Sequence, residues 1–222
     1  MRKLALAGIA VLLVGVSVPA AAVFDPKLAT LFERDAPLSK DDPLIVRFPD
    51  SHILLQTASR YDELTLPAGT ALGQPYSSQK RFSKTVHGEG RVSRTIYIAQ
   101  SGVSSLEMLR SMQSRLAETG WRPVYQCAEA ACGAAFAPLK YSYFDKSTLV
   151  SGEKMETDRA RFVNAVFEKV TTVRYILMTD GKTSNPAYVA IYAAMHSGGT
   201  NGVLSDTLNG RAAALVEVVQ PT

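Results

Sequence analysis

The stretch Arg91-Val-Ser-Arg-Thr-Ile-Tyr-Ile-Ala99, followed by Ser104-Ser-Leu-Glu-Met-Leu-Arg-Ser-Met-Gln-Ser-Arg-Leu-Ala-Glu-Thr-Gly120 and Trp121-Arg-Pro-Val-Tyr-Gln-Cys127, carries the clearest structural signals in the chain. Its first nine residues alternate. Val92, Ile96 and Ile98 share one face, as a strand requires. Ser104 and Glu107 have capping-box spacing, in which hydroxyl and carboxylate satisfy each other's backbone donors. Leu106, Leu109, Met112 and Leu116 then recur at three- and four-residue steps and predict one apolar helix face. Gly120 stops the helix as a left-handed cap, and Trp121 to Cys127 returns as a strand. The unit is strand, helix, strand.

Working outward, strands are expected over 44–48, 53–58 and 61–66. Pro49-Asp50-Ser51 supplies turn chemistry, and Pro67 and Gly69 supply a stop. Residues 73–89 are rich in Ser, Gly, Lys and Gln and read as a loop. Further on, 136–150 reads as a strand or hairpin. A second helix is expected over 157–168, where Phe162, Val163, Val166 and Phe167 form a stripe. Strands follow over 172–179 and 188–195. Segments 204–208 and 212–219 flank Asn209-Gly210, a hairpin signal. Two main helices (about 104–119 and 157–168) among mostly hairpin-joined strands predict an α+β fold with a mainly antiparallel sheet.

The N-terminus reads differently. Met1-Arg2-Lys3 is basic, 4–18 is almost wholly apolar, and Ala20-Ala21-Ala22 offers small residues for cleavage. Residues 1–22 are expected to be a secretory signal peptide, too short and wrongly flanked for a membrane helix. Val23-Phe24 follow, with no cysteine to carry a lipid. Residues 23–41, punctuated by Pro26 and Pro37, form a leader with one short helix near Leu28, Leu31 and Phe32. The remaining 42–221 read as a single domain.

The chain has 222 residues, 46% apolar, with a formal charge of +4. Loss of Arg2 and Lys3 with the signal leaves about +2. That balance excludes disorder, a strongly cationic nucleic-acid binder and a helical membrane protein. Cys127 and Cys132 are the two cysteines. In an oxidising compartment such a pair predicts a disulfide. The C-x4-C spacing matches neither a thiol oxidoreductase nor a zinc site.

Catalytic signatures are weak. G-x-S-x-G, H-E-x-x-H, P-loop and G-x-G-x-x-G patterns do not occur. Ser77-x-x-Lys80 and Ser151-x-x-Lys154 match S-x-x-K at chance frequency. Ser51 beside His52, His87, and His196 beside Ser197 are the hydrolase candidates, although a triad is defined by geometry rather than by sequence. Lys80, Arg81, Lys84 and Arg91, with His87 among them, form a basic stretch suited to an anionic envelope partner or to a solvated loop. Arg94 shares a face with Val92 and Ile96 and needs a carboxylate. Asp62 or Glu63 is the expected partner in a structural ion pair. No catalytic residue, metal ligand or cofactor site is assigned.

Six phrases carry a family resemblance. They are Asp42-Pro-Leu-Ile-Val-Arg-Phe-Pro-Asp-Ser51, Tyr61-Asp-Glu-Leu-Thr-Leu-Pro67, Glu89-Gly-Arg-Val-Ser-Arg94, the helix from Leu106 to Gly120 with Trp121, Cys127 with Cys132-Gly133, and Val216-Glu-Val-Val-Gln-Pro221. In that order they resemble an uncharacterised domain that forms the N-terminal part of OmpA-family envelope proteins of Gram-negative bacteria. The resemblance implies an envelope address and no activity. On that resemblance, the domain is expected to stand alone here, without the peptidoglycan-binding domain of those proteins.

The functional expectation is therefore a periplasmic, outer-membrane-associated binding or accessory module without catalysis. Its partner would be an envelope protein, glycan or lipid, and not nucleic acid. A serine/histidine hydrolase and a structural subunit of an outer-membrane assembly are the alternatives.

Overall fold

The computed structural model describes residues 30–73, 81–136, 165–199 and 203–222. Along the chain run β1 (His52–Pro67), β2 (Ala71–Leu72), β3 (Arg81–Phe82), β4 (Thr85–Ser101), α1 (Ser105–Glu118), β5 (Arg122–Ala128), β6 (Val170–Thr179), β7 (Tyr188–His196), α2 (Val203–Leu208) and β8 (Arg211–Gln220). Six strands form one antiparallel sheet in the order β1-β4-β8-β7-β6-β5, and β2 pairs with β3 separately. The expectation of a mainly antiparallel α+β fold holds, with one main helix among the described residues.

The strand–helix–strand unit has a long reach. β4 and β5 do not touch, because β8, β7 and β6 lie between them. α1 crosses over those three strands and packs on one face of the sheet. Met108, Leu109, Met112 and Leu116 form its buried stripe, so Met108 takes the place expected for Leu106, which is 41% exposed. Under the helix, Ala193, Ala212 and Ala214 present small side chains that leave room for the two methionines.

The opposite face of the sheet is buried as well. Leu55, Leu66, Ile96, Leu177, Leu215 and Val219 pack there with Phe136, Phe167, Tyr175 and Tyr192. Phe136 meets Tyr175 edge-on at 4.9 Å, and Phe167 meets Tyr192 at 5.3 Å. Being covered on both sides explains why β7 and β8 are almost continuously apolar rather than alternating.

Four expectations are corrected. Residues 44–48 are not a strand. Pro43 and Pro49 bracket them, and the Asp42 carboxylate accepts the Leu44 amide instead. The two strands expected over 53–66 are one, β1, with irregularities at Ile53/Leu55 and Ser59/Asp62. Thr85–Glu89 belongs to β4 rather than to a loop, paired with Glu63–Pro67. Residues 204–208 lie in helix α2, so Asn209-Gly210 closes a helix rather than a hairpin. The Asn209 amide donates to the Asp206 carbonyl, and Gly210 has φ +72°. Of the helix expected over 157–168, only 165–168 fall among the described residues, and Ala165, Val166 and Phe167 are buried. The segment 137–150 lies outside them.

Candidate functional site

Some charges flagged in the sequence turn out to hold the fold together. Arg94 Nε donates to Glu217 Oε1 at 3.1 Å, across the β4–β8 pair in which the two residues are in register. The expected partners lie elsewhere. Asp62 and Glu63 pair in register with Gly90 and Glu89, several residues along β1 from Thr57, which faces Arg94. Arg91 is also engaged. It donates to both oxygens of buried Asp42, at 2.6 and 3.1 Å, and to Gln220 Oε1. Burial opposes the charge on Asp42, but hydrogen bonds from Arg91, Ser93 and the Leu44 amide outweigh it and hold the carboxyl below its ordinary range. Arg91 is thereby withdrawn from the basic stretch. Arg81 and Lys84 are exposed, and Lys80 lies outside the described residues.

The hydrolase candidates do not assemble a relay at Ser51. The proton of its hydroxyl goes to the Phe48 carbonyl at 2.6 Å, while His52 lies 3.6 Å from Asp35. Asp35 is held instead by Arg47, which also binds Asp41. His196 is buried with Nδ1 against the Val166 carbonyl. His87 faces Glu63, Glu89 and Thr65 on the exposed side of the β1–β4 pair. Ser77, Ser151 and Lys154 lie outside the described residues.

A cleft of about 200 Å³ opens between the N-terminal half of α1 and the β5–β6 edge of the sheet. Its position follows from local chemistry. β6 is irregular in register between Thr171 and Arg174, and Thr172 has φ +49°. Ser105, the first residue of α1, donates to the Thr172 carbonyl at 2.6 Å and lies 3.0 Å from its hydroxyl. The helix start is thus pinned to the irregularity. Past it, Arg174 falls on the helix-facing side with Ile176 and Met178. On β5, Ala128 pairs with Arg174 and Gln126 with Ile176. The expected disulfide is present. Cys127, at the end of β5, is bonded to Cys132 in the following 3-10 turn with Cα atoms 5.0 Å apart.

The cleft therefore has an apolar floor of Leu109 and Ile176, a rim from exposed Leu106, and two guanidinium groups, Arg110 and Arg174. Among the described residues no acidic side chain lines it. Arg110 donates to Gln113 at 2.7 Å, and neither arginine is paired with a carboxylate among the described residues. Arg174 Nε is buried without a hydrogen-bond partner. Such an orphaned donor costs about 1–3 kcal/mol, more for a charged group, unless something accepts it. Among the described residues the lining holds no histidine, free thiol or carboxylate, and its polar groups are suited to binding. Nothing in the linear order of residues points to it. Arg110 and Arg174 lie 64 positions apart, in a helix and a strand that only the crossover brings together.

No family model matches the chain, and no curated protein matches it.

Proposed function

We propose that the protein is an exported, non-catalytic binding module of the bacterial envelope, and that its cleft between α1 and the β5–β6 edge takes an anionic group of an envelope partner. The observation that carries this reading is the pair Arg110 and Arg174 in a lining without acids among the described residues, with Arg174 Nε buried and unmatched. An export address is supported by the signal-like residues 1–22 and by the Cys127–Cys132 disulfide, a bond that persists in oxidising compartments. The resemblance to the N-terminal domain of OmpA-family proteins supports the same address. Leu106 at the rim and Leu109 in the floor suit an anion borne on an apolar stem, such as a phosphorylated lipid headgroup.

The test is co-sedimentation of the purified protein with outer-membrane vesicles at low and high salt. Retention is expected at low salt and is expected to weaken as salt rises. Arg174→Gln and Arg110→Gln should each lower retention by about tenfold, one charge-assisted hydrogen bond being worth roughly 1.5–3 kcal/mol. Salt-insensitive retention, or retention of both variants equal to that of the parent, would count against the reading.

A further inference from the structure

On the exposed surface of the β1–β4 pair, far along the sheet from the cleft, Glu63 stands in register with Glu89 and Thr65 with His87. Two carboxylates directly opposite each other repel. His87 Nε2 lies between them, 3.5 Å from Glu63 Oε2 and 3.4 Å from Glu89 Oε1. The three donor atoms lie within 4.8 Å of one another.

Donors bound tetrahedrally at zinc-ligand distances stand roughly 3.3–3.5 Å apart around a common centre. The two imidazole–carboxylate separations have room for such a centre, and the same contacts serve as ion pairs of the imidazole when no metal is bound. The atoms not needed for ligation are held by neighbours. Tyr61 Oη donates to Glu89 Oε2 at 3.1 Å, and His87 Nδ1 is 3.4 Å from Thr65 Oγ1. The contact on Nδ1 supports the ring while Nε2 faces the two carboxylates.

We infer that Glu63, His87 and Glu89 form a surface site for a divalent transition metal with zinc-like ligand preference, leaving a coordination position open to solvent. One imidazole with two carboxylates suits zinc better than calcium or magnesium, which take oxygen alone. The site does not depend on the cleft, and among the described residues its ligands form ion pairs only with one another.

Calorimetric titration of Zn²⁺ into the purified protein tests the inference. One equivalent should bind. His87→Ala and Glu89→Gln should each weaken binding by about 100-fold, and Thr65→Val, which only orients the imidazole, by about tenfold. In the imidazole ¹⁵N spectrum, zinc should shift Nε2 of His87 while Nδ1 stays protonated. All the substituted side chains are exposed, so the variants should melt with the parent in the presence of chelator. Absence of binding, or binding unchanged in His87→Ala, would overturn the assignment.

Discussion

Glu217 sits on the same face of β8 as Leu215 and Val219, 4% exposed, and accepts one hydrogen bond from Arg94. Burial raises its pKa from the ordinary 4.5 to about 7, and Arg94 offsets only part of that rise. The sign of the pH effect follows. An acid whose folded pKa is raised holds its proton in the native state where the unfolded chain has released it, so stability is full below about pH 4.5 and declines as pH climbs through 7. The loss is on the order of 3 kcal/mol. Glu217→Gln should flatten the dependence. Thermal melts from pH 5 to pH 8 should show the parent falling and the variant holding, and parallel curves would contradict the assignment. Arg94 was legible as a problem in the sequence, because it shares a face with Val92 and Ile96. Its partner was not, being 123 positions away. The same signal would have found it: a lone carboxylate inside Ala212-Ala-Ala-Leu-Val-Glu-Val-Val219 needs a cation just as Arg94 needs an anion.

At the scale of elements, α1 shows what short-range chemistry can specify. Ser104 Oγ accepts the Glu107 amide at 3.1 Å. At the other end the Gly120 amide donates to the Ala117 carbonyl and the Trp121 amide to the Leu116 carbonyl, with Gly120 at φ +89°. That pairing satisfies the last carbonyls, and Trp121 joins Leu116 in the core beneath the helix. Ser104→Ala and Gly120→Ala should each cost about 1 kcal/mol, read as a lowered urea midpoint with unchanged slope. No change in either would mean that tertiary packing alone sets the helix ends. Both caps were visible in the sequence because their bonds span a few residues. The stripe was less visible, since Leu106 and Met108 are both apolar and only the crossover angle decides which is covered. α2 was misread for a related reason: Asn-Gly serves a type I′ hairpin and a helix C-terminus equally well. β4 was read as starting at Arg91 because 73–89 is rich in Ser, Gly, Lys and Gln, whereas Thr85–Glu89 pairs with Glu63–Pro67; β1 was read as two pieces that meet where its register is irregular, between Ser59 and Asp62.

At the scale of the molecule, the crossover of α1 from the second strand of the sheet to its far edge creates the cleft, and the disulfide closes the edge strand beside it. The loop between the two cysteines spans five positions, so the bond should contribute about 2 kcal/mol through the unfolded chain. Replacing both cysteines with serine should lower the unfolding free energy by that amount while preserving far-ultraviolet dichroism, and an unchanged free energy would contradict it. The sheet class was readable from periodicity and turn chemistry. The strand order was not, because it depends on which of several apolar strands bury together. The cleft depends on that order and was equally hidden. An anion entering the cleft should register first at Arg174. The measurement follows the Arg174 Nε–Hε resonance in ¹⁵N-labelled protein as outer-membrane vesicles are added at low salt. This signal and the Arg110 guanidinium signal should broaden before those of Arg115 and Arg122 elsewhere on the surface, and recover when salt is raised. Signals from Arg174 and Arg110 that stay unchanged while the protein binds would contradict it.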